Sequence, residues 1–170
     1  MTEDFNFLIR IAQLAGVFVG FGALISVMDS RNANATQLTQ IRAVVSIGLI
    51  VIVAALLPVG LGRYGVTGQD LWRVCSLVFL GLVWSVTILS LRMAEGRQLA
   101  IARMRSNPIG TAFFWLALEI PLQVPLILTA LGLYSQFHPA FYTTALIVNI
   151  FEAVFVFAQF VYSQQSRAES

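Results

Sequence analysis

The sequence predicts an all-α fold, a polytopic bundle of membrane-spanning helices, and three observations carry that prediction. Hydrophobic residues make up 58% of the 170 residues and charged residues only 11%, where soluble domains carry about 25% charged residues. Those few charges gather between long apolar runs. Five of the runs reach the roughly 20 residues that a helix needs to cross the hydrocarbon core. The whole chain, residues 1–170, therefore reads as one transmembrane domain, with the lipid bilayer as its first partner.

The first span covers residues 7–28, "FLIRIAQLAGVFVGFGALISVM". Ala12, Gly16, Gly20 and Ala23 recur along one face of it, and "GVFVG" is a GxxxG motif. Small residues let helix backbones approach closely in lipid, either between subunits or within one chain. Packing inside the chain is the plainer expectation for a five-helix bundle. The run is long for a signal peptide and follows the acidic "MTED", while "DSR" separates it from the small-residue "ANA" at 33–35. It is accordingly read as a retained span.

The second span covers residues 41–61 and the third 71–91, with "TGQD" at 67–70 as a capping box for the third. A basic loop, 92–110, follows. Its "SNP" at 106–108 places a cap and a first-turn proline before the fourth span, 111–134. "YSQFHP" at 134–139 forms a turn, and Pro139 suits the opening of the fifth span, 140–162.

Orientation follows from arginine. Arg10, Arg63 and Arg73 lie on one side, and Arg31, Arg42, Arg92, Arg97, Arg103, Arg105 and Arg167 on the other. The positive-inside rule puts the larger group in the cytoplasm, so the N-terminus is outside and the C-terminus inside. The loop arginines either set topology alone or also meet anionic head groups.

Several function classes fall away. A net charge of +2 is too small and too dispersed for a nucleic-acid surface. Cys75 is the single cysteine and His138 the single histidine, which leaves no intramolecular disulfide, no thiolate cluster and no multi-histidine metal site. All basic residues are arginine, so there is no Schiff-base lysine and no phosphate-loop lysine. No cofactor and no enzymatic activity are expected. "NAT" at 34–36 matches a glycosylation acceptor but falls in a loop assigned to the cytoplasm. No repeat with paired broken helices is visible, as inverted-repeat transporters show. A permeation pathway through so few spans would need a homo-oligomer.

Two spans carry polar groups at depth. On the fifth, Tyr142, Asn149, Glu152, Gln159 and Ser163 form a stripe. With Asn149 at zero, Glu152 falls near ~300°, Gln159 near ~280° and Ser163 near ~320°. Such a stripe faces the bundle interior, a cavity or another subunit. On the fourth, "LALEIPLQVPLIL" holds Glu119, Pro121, Gln123 and Pro125. Gln123 lies about 40° round the helix from Glu119, while Pro121 and Pro125 lie near ~200° and ~240°. Each proline removes one backbone hydrogen bond, which frees the carbonyls of Ala117 and Pro121.

The short turn makes the two helices antiparallel neighbours. Glu119 then lies about 12 Å and Glu152 about 15 Å from the cytoplasmic ends of their spans, at ~1.5 Å per residue. A charge at mid-helix costs roughly 2.5–3.5 kcal/mol on insertion scales. Two adjacent carboxylates can share a proton or bind a cation, or one of them can be neutralised by Arg42 or Arg92 bending inward. The candidate ion or proton site is therefore Glu119, Gln123, Asn149 and Glu152. The plainer reading makes the same groups interhelical hydrogen-bond glue.

"AGVFVGFGALISVMDSR", "IRAVVSIGLIVIVAALLPVGLG", "DLWRVCSLVFLGL" and "FAQFVYS" together resemble a widespread group of small, uncharacterised bacterial inner-membrane proteins. The resemblance implies five spans and a bacterial inner membrane. It carries no site residues, and "EIPLQVP" lies outside the shared pattern. Two functions follow as expectations: ion- or proton-linked permeation through the carboxylate pair, or a non-catalytic accessory role in which the polar groups hold helices together.

Overall fold

The computed structural model describes residues 2–28, 35–93, 101 and 108–168. Among them the chain forms five long α-helices: α1 (Thr2–Met28), α2 (Ala35–Arg63), α3 (Gly68–Arg92), α4 (Pro108–Ala130) and α5 (His138–Ala168). A 3-10 turn, Ser135–Phe137, leads into α5. Four stretches are long and apolar enough to cross a membrane: Asp4–Ile25, Ile41–Arg63, Gly68–Arg92 and Ser135–Ala158. The fourth helix contributes a shorter apolar stretch, Trp115–Ala130. Most of the basic 92–110 loop lies outside the described residues.

The helix boundaries have local causes. Pro108 is the first residue of α4 and Pro139 lies in the first turn of α5, where a missing backbone N–H is harmless. Thr67 sits at the N-cap of α3 with extended φ and ψ, but its side chain makes no cap hydrogen bond, so the expected capping box does not close there. The fourth helix ends at Ala130, short of the 134 expected. Gly132 takes φ +74°, its N–H reaches the Thr129 carbonyl, and the Leu133 N–H reaches the Leu128 carbonyl at 2.9 Å. A left-handed residue closing the last turn in this way stops a helix.

The fifth helix packs against each of the other four, and α1 lies along α2. The main core gathers towards the end that carries the α2–α3 loop and the α4–α5 turn, where Leu8, Val51, Leu71, Phe79, Leu126 and Tyr142 are all fully or almost fully buried. The outer faces are apolar as well: Phe21, Leu49, Leu77, Ile120 and Phe151 are exposed. Exposed apolar side chains on every helix fit contact with lipid tails. Hydroxyls on exposed faces are satisfied within their own helix, as where Ser85 donates to the Gly81 carbonyl at 2.6 Å and Thr87 to Val83 at 2.9 Å. This removes an unpaired donor that hydrocarbon could not solvate.

The contact between α1 and α2 differs from the one the small-residue stripe suggests. A Cβ at Gly16 or Gly20 would meet nothing within 4 Å, and Gly20 and Ala23 are exposed. Of that stripe, Ala12 is buried. The close approach runs through Gly22 and Gly48 instead. A Cβ on Gly48 would lie 2.5 Å from Val19 Cγ2, and one on Gly22 would lie 2.9 Å from Val45 Cγ2. The α1–α2 seam is thus rotated away from the GxxxG face, which among the described residues stays open.

Candidate functional site

The α4–α5 seam carries the polar groups. Along α4, Leu118, Leu122, Leu126 and Thr129 form the buried face. Glu119 and Gln123 stand half-buried at its edge, one turn apart. The Gln123 amide donates to the Glu119 carboxylate at 2.5 Å, the i, i+4 pairing that helical spacing allows. Pro121 is exposed and Pro125 half-buried.

Along α5, Tyr142 and Asn149 are buried, with Asn149 only 3% exposed. Glu152 is half-buried beside the buried Ala153. The carboxylate of Glu119 acts electrostatically on that of Glu152. The two acids therefore lie within electrostatic range across the seam. Gln159 and Ser163 continue α5, but their side chains lie outside the described residues. Among the described residues no group of three or more His, Cys, Asp or Glu side chains is placed to hold a metal ion.

Nearer the turn, Tyr142 anchors the bundle in a way that the polar-stripe reading missed. Its hydroxyl donates to the Ala54 carbonyl at 2.6 Å. That carbonyl lies four residues before Pro58, which has no N–H to give it. The tyrosine thus replaces, across helices, the hydrogen bond that the proline removes. Its ring meets Trp72 at 5.5 Å and Phe79 edge-on at 5.8 Å. The signal was present in the sequence as a mid-helix proline, whose freed carbonyl needs a donor from elsewhere.

His138, expected in a turn, is fully buried at the start of α5. Its Nε2 donates to the Leu133 carbonyl at 3.1 Å, since a carbonyl can only accept. Its Nδ1, the Ser76 hydroxyl and the Arg73 Nε are buried without a hydrogen-bond partner. The Arg73 guanidinium lies against Gly132, at the negative end of the α4 dipole. Thr129 on α4 is also fully buried and turns its hydroxyl to the Pro125 carbonyl at 2.9 Å.

No protein-family model, curated protein or solved structure matches this chain.

Proposed function

We propose that the chain is a five-span integral protein of a bacterial inner membrane, N-terminus outside and C-terminus inside, in which Glu119 and Glu152 together handle a proton or a monovalent cation in permeation. The observation that carries this reading is the placement of two half-buried acids on the α4–α5 seam, with Glu119 acting electrostatically on Glu152. Ionisable groups within spans are expensive and mark ion or proton paths by default. Two carboxylates within electrostatic range of each other at depth are relieved by one shared proton or one cation between them.

The ligand class is narrowed by the donor set. Calcium takes six to eight oxygens and magnesium demands an octahedral shell, whereas among the described residues this seam supplies two carboxylates and the Asn149 amide, with the Gln123 amide nitrogen turned onto one of the carboxylates. A proton or a singly charged cation fits better. The Gln123–Glu119 bond also argues against pure glue, because it closes within α4 and ties no second helix. The open face of Gly16 and Gly20 is compatible with a homo-oligomer that completes a pathway too large for five helices.

The test is a flux assay in proteoliposomes with a pH-sensitive or cation-sensitive dye inside. Glu119→Gln and Glu152→Gln should each abolish flux while the purified protein stays folded and keeps its oligomeric state. Absent wild-type flux, with loss of stability or assembly in the same two variants, would return the pair to the accessory reading.

A further inference from the structure

A groove between α1 and α5 points to a second kind of ligand. At the end nearest the N-terminus it opens as a cavity of about 440 Å³ lined by Asp4, Phe7, Gln136, Pro139, Ala140 and Thr143. That size falls within the ~300–1,000 Å³ of small-molecule sites. Phe7 also lines a second, smaller cleft of about 280 Å³ one turn further along both helices, together with Arg10, Ile11, Leu14, Ile147 and Ile150. The polar lining is thus confined to the first cavity, and the second is apolar except for Arg10.

Arg10 is the unusual member. It lies inside the apolar stretch Asp4–Ile25, six residues or about 9 Å along the helix from Asp4 at ~1.5 Å per residue. It is exposed to the groove, and the cleft it lines contains no acidic side chain. A cation held at that depth is costly without an anion, and a guanidinium suits the geometry of a phosphate.

We propose that this groove holds one phospholipid of the amine-headgroup class, with its phosphate on Arg10, its ammonium at the Asp4 and Gln136 mouth, and an acyl chain along Leu14, Ile147 and Ile150. The order of chemistry matches along the groove: acceptor oxygens at the mouth, a cation below them, and aliphatic walls below that. Arginine can tilt its guanidinium towards the head-group region, which shortens the span between phosphate and ammonium sites. The occupant is a lipid and not a helix of a second copy, because an apolar helix face would leave the Arg10 charge unanswered. This site is independent of the Glu119–Glu152 pair, and its test reads binding alone.

The test is native mass spectrometry of the detergent-purified full chain with phosphatidylethanolamine, phosphatidylglycerol or phosphatidylcholine added at equal concentration. The wild type should retain one phosphatidylethanolamine after activation that strips the rest. Arg10→Gln should lose at least tenfold of that adduct, and Arg10→Lys should keep most of it. Ile147→Trp, which fills the cleft and leaves Arg10 in place, should also lose it. Equal retention of all three lipids by wild type, an undiminished adduct in Arg10→Gln, or a lipid-free dimer cross-linked through a cysteine at Leu14 would each overturn the proposal.

Discussion

The Gln123 amide donates to the Glu119 carboxylate one turn earlier on α4, and this contact turns an acid at the edge of a helix face into a fixed element of the α4–α5 seam. Hydrogen bonds to a charged group contribute about 1.5–3 kcal/mol. Gln123→Leu should therefore lower flux about tenfold or more by freeing the Glu119 side chain. The melting temperature in detergent should change little, since the bond joins no second helix. A large loss of stability with unchanged flux would assign Gln123 to packing.

Tyr142 and Pro58 form a compensating pair. Removing the hydroxyl leaves the Ala54 carbonyl buried and unpaired, so Tyr142→Phe should destabilise the bundle by about 1–3 kcal/mol. In the Pro58→Ala background the helix supplies its own N–H to that carbonyl, and the same substitution should cost much less. A double-mutant cycle in denaturant titrations measures the coupling. Additive effects would show that the tyrosine acts through its ring contacts with Trp72 and Phe79 alone.

Glycine substitutions separate the two faces of α1. Gly48→Ala places a methyl on Val19 and should cost about 1–3 kcal/mol by overpacking, with partial rescue by Val19→Ala. Gly16→Ala and Gly20→Ala meet open space and should leave monomer stability unchanged or slightly raised, because alanine is the better helix former. Size-exclusion chromatography with light scattering of Gly16→Leu then tests an oligomer on that face, whose loss would appear as dissociation without unfolding.

Gly132 closes α4 at φ +74° with the Arg73 guanidinium packed on it. Gly132→Ala should cost more than the ~1–2 kcal/mol of a left-handed alanine, because the new methyl must also displace Arg73. The excess should vanish in the Arg73→Ala background, as read from thermal unfolding of the single and double variants.

The helical class and the place of the five long helices among the described residues were legible because hydropathy and proline position act locally. Pro108 and Pro139 open their helices as expected, and Glu119 and Gln123 share a face because helical spacing alone decides it. The rest depended on rotation of one helix about another, which the chain does not encode locally. The GxxxG motif of Gly16 and Gly20 was visible, yet the close approach uses Gly22 and Gly48, whose neighbours Val45 and Val19 come from the facing helix. The hydrogen bond from Tyr142 to Ala54 spans 88 positions, so Pro58 announced a need for a donor but not which residue meets it. His138 read as a turn residue because burial at a helix start depends on what packs over it.

If Glu119 and Glu152 act together on one proton or monovalent cation, flux into proteoliposomes should respond to the pair as a unit. Compared at matched fold and assembly with wild type and the double variant, Glu119→Gln or Glu152→Gln alone should abolish flux as fully as both together, because residues acting as a unit are strongly non-additive. Flux that survives in either single variant, or that falls by independent factors combining in the double variant, would contradict their joint action.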